Sequence, residues 1–510
     1  MARDRKPPPP SANDTNWERV RRLFQSGALE FVEAVRQVVN APALATFAET
    51  WWTDPRIEAK RLLFAYLELP FNSPRHEPLV KRLFKFADTT GDDAIMARFL
   101  VGFDRTIRRR RVAKEVYNHK RRAYEQSEAV ITPGNTTLAR DDRSYAGPWF
   151  SQNREQFVAG KFLFSMPTRT YLRRRAWRYF RKLGRQQPDR YIPAVCTALK
   201  RYTDADVPDG LALLDNWGLV HILFHHSAMI EAHPSGWRMA DGGSLSRLEP
   251  EPMFRKLWLR NAEPVFDLLV RSKCRPVAMW AMQMLRRHFP ERLAQVTLAE
   301  LLAWVVAPNT ALNELAIELL ETRGGLEAVT IAQWLELTEK ARTDLLDRIC
   351  AMVERSVKPE QVSFTDAIKL AMQRPVPLAR LGFAFLKGKT PKTPEELTAV
   401  FGLRNAEAEP LRVDLVKWAC ETLSARADFD PLWVLEFLDS RFEEVREVGW
   451  EWLQIEPRAT RFWCGSGFSN RHTTTSACAS WVYSKSKPRN ATGWRSSLWS
   501  ACGSCGRPYC

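Results

Sequence analysis

The sequence predicts an all-α protein, an α-solenoid of stacked helix pairs with a helical cap at its N-terminal end. Three observations carry that prediction: an apolar pattern of helical period recurs about every 33 residues, strand signals are scarce, and the pattern stops near Trp463. The recurrence is anchored on small residues, Ala281, Ala316, Cys350, Gly382, Ala419 and Gly449, spaced 35, 34, 32, 37 and 30 residues apart. Four positions before the anchors stand Val277, Leu312, Leu346, Leu378, Leu415 and Val445; one position before stand Trp280, Leu315, Ile349, Leu381, Trp418 and Val448. Three positions after come Met284, Leu319, Val353, Phe385, Thr422 and Trp452; four after come Leu285, Leu320, Glu354, Leu386, Leu423 and Leu453. Successive helical residues turn by about 100°, so these offsets share one face. A small anchor lets a neighbouring backbone approach. One such helix cannot bury its stripe alone, and stacked copies must bury it together.

Along the chain, residues 1–12 carry charges and Pro7–Pro10 but no apolar core of a signal peptide, and read as a disordered N-terminus. Residues 13–125 read as an N-terminal helical region, the cap of the array. Its helices are expected over Trp17–Phe24, Ala28–Val39, Pro42–Trp51, Arg56–Leu67, Leu79–Asp88 and Asp92–Arg110, with a charged helical continuation to Glu125. Residues 126–165 lose periodicity and collect Pro133, Gly134, Asn135, Gly147 and Pro148, so a long loop or linker is expected. A second loop is expected from Ala232 to Pro252. The repeat array occupies 166–463, with an early copy at Leu172–Leu183 in which Arg175 replaces one apolar residue. First helices of the pairs fall at Leu298–Val306, Thr330–Thr338, Glu395–Phe401 and Pro431–Asp439. Pro276, Pro308, Pro377 and Pro410 stand ahead of four second helices, where a missing N–H costs little.

The anchored helix resembles the second helix of a HEAT repeat, and the stretch 166–463 is similar to bacterial HEAT-repeat-like proteins. Spacing that drifts from 30 to 37 residues suits such arrays better than the stricter pentatricopeptide period, and the Trp-Leu-Gly-Tyr-like pattern of tetratricopeptide repeats is absent. The resemblance concerns architecture and carries over no catalytic residue.

From Cys464 the composition changes. The last 47 residues hold no Asp or Glu, six Lys or Arg, and five of the nine cysteines. Val482 and Leu498 are their only Leu, Ile, Val or Met, which cannot build a core. With GC-rich codons, reading Phe468–Lys487 from each third base can yield a Pro-led, Asp-Asp-Val-Arg helix start of HEAT type, so 464–510 reads as a non-native, disordered tail left by a frameshift. The rival reading is a zinc site around Cys502 and Cys505, but one C-x-x-C pair with irregularly placed Cys464, His472, Cys478 and Cys510 is weak support.

The net charge of +17 falls to +11 over residues 1–463 once the tail's six cations are set aside. That balance suggests acidic partners. The four remaining cysteines are far apart and fit a reducing cytoplasm. No apolar run approaches a membrane span.

The strongest functional hint is basic. Arg108–Arg111 is a run of four arginines, and the helix after Pro167 places Arg174, Arg178, Arg181, Lys182 and Arg185 away from its apolar stripe of Leu172, Ala176, Tyr179, Phe180 and Leu183. Such a ridge can bind an acidic protein segment or, in a salt-dependent way, nucleic-acid phosphates; the plain alternative is a solvated face. His221 and His225 share a helix face, but no Glu completes an H-E-x-x-H zinc motif, so they read as core or interface histidines. Asp215 and Asn216 fit a cap before that helix. Gly242–Gly243 lacks P-loop context. No catalytic residue, cofactor or metal ligand is assigned. The expected role is a cytoplasmic, non-enzymatic scaffold for a protein partner, with nucleic-acid binding as the alternative and a metal-dependent enzyme a distant third.

Overall fold

Helices make up about 71% of the computed structural model and strands about 3%; the all-α class follows. Residues 12–38, 40–71, 75–118, 122–131, 164–234 and 236–465 are described. The chain divides into two units, residues 1–315 and 316–510.

The first unit begins with six helices, α1 (Ala12–Ser26), α2 (Glu30–Arg36), α3 (Ala41–Thr53), α4 (Ile57–Glu68), α5 (Glu77–Thr90) and α6 (Asp93–Asp104). Local signals set their ends. The Asn40 side chain accepts from the Ala43 N–H at 3.1 Å to start α3, and Asp92 from the Ile95 N–H at 3.0 Å to start α6. Gly91, at φ 69°, lets the chain leave α5. Their core is aromatic: Trp51 lies against Phe24, Phe31, Phe47 and Tyr66 with centroids 4.9–6.1 Å away.

After α6 the expectation fails. The helix does not continue to Glu125. Arg110–Asn118 (β1) pairs antiparallel with Ala123–Ile131 (β2), Val112 opposite Ala129 and Tyr117 opposite Tyr124. The expected long loop therefore starts inside a strand. Val112, Val116, Val130 and Ile131 carry the β-branched signal, which the surrounding charges obscured. Residues 132–163, the rest of that loop, lie outside the described residues.

Next come α7 (Met166–Gln186), α8 (Pro188–Leu199), α9 (Gly210–Asp215) and α10 (Trp217–Phe224). Helix α7 packs on α6, α8 and α10. The loop expected at 232–252 opens instead with a hairpin, β3 (Ile230–His233) against β4 (Gly236–Met239). Helices α11 (Arg255–Trp258), α12 (Glu263–Arg271), α13 (Arg275–His288), α14 (Pro290–Ala294) and α15 (Leu298–Val305) follow, and α16 (Thr310–Thr322) runs across the division at 315.

The second unit holds α17 (Ile331–Lys340), α18 (Leu346–Ser356), α19 (Phe364–Ala371), α20 (Val376–Leu386), α21 (Pro394–Gly402), α22 (Glu409–Ser424), α23 (Trp433–Leu438), α24 (Glu443–Ile455) and α25 (Pro457–Gly465). In each unit by itself, Ala281 in the first and the other five anchors in the second, the anchor pattern translates directly into packing. All six anchors are buried, as is every residue four positions before them. Glu354, the one break in the stripe, is exposed. A Cβ on Gly382 would stand 2.2 Å from the Ala371 N and 2.7 Å from the Ala367 O, so α19 and α20 touch backbone to backbone there. Gly449 brings α24 onto α23 less tightly, with the nearest atoms at 3.2–3.3 Å. Anchored helices also pack on their successors, α18 on α20, α20 on α22 and α22 on α24.

Two further recurrences reinforce these contacts. Thr297, Thr330, Ser363 and Thr393, spaced 33, 33 and 30 residues, each accept a backbone N–H and cap the first helix of a pair. Arginines then reach across about one repeat: Arg404 donates to the Glu436 O at 2.9 Å, Arg426 to the Pro391 O at 2.7 Å, and Arg458 to the Arg426 O at 2.8 Å. Arg412, buried against the Phe442 ring, pairs with Glu444. Helix ends leave carbonyls unpaired, and these guanidinium groups bind some of them. A share of the positive charge is thereby spent on internal bonding.

The described residues end within the last stretch singled out from composition: Cys464 and Gly465 finish α25, and 466–510 lie outside them, so the frameshift and zinc readings gain no support. No helix among the described residues is long and apolar enough to cross a membrane.

Candidate functional site

Helix α7 begins where the Ser165 hydroxyl accepts from the Thr168 N–H at 3.4 Å, with Pro167 in its first turn. Leu172, Ala176, Trp177, Phe180 and Leu183 are buried. At 100° per residue Arg169 and Arg173 fall on this same side, and both are buried. They are structural. Arg169 donates to the Thr106 O at 2.7 Å, and Arg173 to the Asp215 O at 3.1 Å from a position over the Trp217 ring. Burial pushes each guanidinium down to about 10.

The five cations expected to form a ridge separate into two groups. Arg174 is half-buried, donating to the Pro234 O and lying 5.5 Å from the Trp217 ring centre. Arg181 is also half-buried, near His221 of α10 and His225 just after it. Arg178, Lys182 and Arg185 are exposed. No carboxylate of the described residues pairs with Arg178, Arg181, Lys182 or Arg185, whereas their neighbours Arg175 and Arg190 are paired with Asp88 and Asp93 at 2.9 Å. One residue was missed: Tyr171, 49% exposed, stands on the same face with Arg178 5.9 Å from its ring centre. Its position seven residues before Arg178 was the available signal.

Beneath α7 lies a buried polar cluster. Asp104 caps α10 from 114 residues away: it accepts from the Gly218 N–H at 2.9 Å and the Leu219 N–H at 3.2 Å, and the Tyr202 hydroxyl donates to it at 2.7 Å. Burial pushes the Asp104 carboxyl up, and those donors oppose it. Asn216 occupies the N-cap position, but its amide donates to the Asp206 and Ala212 carbonyls, both at 2.9 Å. Asp215 instead accepts from the Arg109 backbone N–H at 2.7 Å. Two members of the arginine run thus turn inward, Arg109 bonding the Trp237 O at 2.7 Å and Arg108 the Asp104 O at 3.1 Å. Burial raises the Asp206 carboxyl, but the Arg105 guanidinium, bonded at 2.7 and 2.9 Å, outweighs it and holds the group below its ordinary range.

His221 is a core side chain, stacked on Trp177 at 4.9 Å with its Nδ1 2.8 Å from that of His225. Burial, then His225, Arg181 and Arg173, push His221 down to about 2; burial, His226 and Arg181 push His225 to about 4. Among the described residues no group of three or more His, Cys, Asp or Glu is placed to hold a metal ion. Burial also pushes the Cys196, Cys274 and Cys350 thiols up to about 12, leaving them unreactive.

These depressed histidines give a pH prediction. His76, bonded to the Tyr66 hydroxyl at 2.8 Å, is likewise pushed by burial to about 4. The fold holds neutral imidazoles, while the unfolded chain takes up protons near pH 6.5. Their contribution is therefore intact above neutral pH and is lost as pH falls from about 6.5 toward 4. Lowering the pH from 7.5 to 5 should cost about 2 kcal/mol each for His76 and His221. Urea midpoints at the two pH values check this, with a flatter dependence expected for His76→Asn/His221→Asn; equal midpoints for the unaltered protein would contradict it.

Among the described residues the buried carboxylates Asp104, Asp206 and Asp215 are engaged by N–H or O–H donors, and Arg178, Lys182 and Arg185 on the outer face of α7 are exposed. No family model matches the chain, and neither the curated proteins nor the solved structures contain a match to it.

Proposed function

We propose that the protein is a non-enzymatic, cytoplasmic scaffold, a HEAT-like α-solenoid that offers an extended helical surface to a protein partner. The observation that carries this reading is the stepwise packing of anchored helices in the second unit, where each lies on the next and arginines bridge at the repeat spacing. Elements that touch mainly their successors bind by surface shape and charge, without a cofactor. The test is affinity purification of the full chain from its own cell extract after nuclease treatment. A defined protein should be recovered, and purified partner should rebind in a saturable manner. Recovery that disappears with nuclease, leaving no protein that rebinds, would favour nucleic-acid binding and overturn the scaffold reading.

A further inference from the structure

We infer that the outer face of α7 is a docking site for an acidic amphipathic helix of the partner, an assignment that rests on the scaffold reading. Tyr171, Arg174, Arg178, Lys182 and Arg185 fall within one face, and Tyr171 to Arg185 spans about 21 Å at 1.5 Å per residue. Arg178, Lys182 and Arg185 stand four and three residues apart, so the face presents about one cation per turn. A second helix has the same 5.4 Å pitch. Its carboxylates at i, i+4 and i+7 can therefore meet these three cations in register.

The exposed Tyr171 adds an apolar anchor at one end of the stripe. Tyrosine and arginine are the residue types that most often carry interface energy. The flank decides between acidic partners. On one side of the stripe, Arg175 and Arg190 are paired with Asp88 and Asp93. On that side the unpaired charge stops at α7. Specific nucleic-acid interfaces bury about 1,000–2,500 Å² of strongly positive surface, and a short strip of three exposed cations, bordered on one side by ion pairs, suits a single acidic helix better.

The test uses the full chain and fluorescent helix-forming peptides about four turns long. One carries Glu at i, i+4, i+7 and i+11 on one face with a Leu beyond the last; a second has the same composition with its Glu residues scattered. In low salt the striped peptide should bind at least about tenfold more tightly than the scattered one, a difference of about 1.4 kcal/mol. Tyr171→Ala should weaken it several-fold. The variant Arg178→Glu/Lys182→Glu/Arg185→Glu should lose the Glu peptide and gain a Lys-striped one, a swap that a misfolded protein cannot produce. Equal binding of both Glu peptides, no swap, or tighter binding of an oligonucleotide of equal charge would overturn the assignment. If a recovered partner binds the triple variant normally, this site fails while the scaffold reading stands.

Discussion

Replacing Gly382 with alanine should destabilise the protein by about 3 kcal/mol, although the same change at an open helical position stabilises by about 1 kcal/mol. The sign reverses because the new methyl would meet backbone. Its nearest neighbours would be the Ala371 N at 2.2 Å and the Ala367 O at 2.7 Å. No rotamer change can move these atoms, so α19 and α20 must separate and their shared apolar face opens. Gly449→Ala should cost less, about 1 kcal/mol, because its contacts begin at 3.2 Å. Gly402→Ala, whose nearest atom is the flexible Met372 Sδ at 3.5 Å, should be close to neutral. Denaturant midpoints for the three variants would show this order; a stabilised Gly382→Ala would refute the close approach.

The second large effect is expected at Asp104. Asp104→Ala should cost about 4 kcal/mol, because it strands the Tyr202 hydroxyl and the Gly218 and Leu219 N–H groups in the interior. Tyr202→Phe alone removes one donor and should cost about 1 kcal/mol. The double variant should be less destabilised than the sum, since the orphaned hydroxyl is gone. A loss below about 1 kcal/mol for Asp104→Ala would mean that the cap is dispensable.

Legibility in the sequence followed the range of the interaction. The anchored helices could be read because their stripes are local, repeated and apolar; Val277, Leu346 and Val445 are buried as the period requires. The Thr297, Thr330, Ser363 and Thr393 caps were equally local and could have sharpened the boundaries of the first helices. The β1–β2 hairpin was hidden because Arg110, Arg111 and Lys114 resemble a charged helical surface, and four β-branched residues were too few to outweigh them. Long-range partners left no sequence signal. Nothing near Asp104 points to the start of α10, and nothing near Arg109 points to Asp215. The outer face of α7 and the buried side of Arg169 and Arg173 were legible from the wheel, but the bond from Arg174 to the Pro234 O depends on the hairpin that packs beside it.

The central claim, that successive helix pairs seal one another in register, is tested most directly by excising one repeat. Removing residues 383–419, a span of 37, joins Gly382 to Cys420 and keeps Leu378, Leu381 and Leu423 at the offsets of a single anchored helix. Circular dichroism during thermal unfolding should show a shorter chain that still unfolds cooperatively, with helix content reduced in proportion. Removing 383–421 turns the distal half of the stripe by about 200° and should abolish that transition. Equal tolerance of both excisions, or collapse of both, would contradict the account.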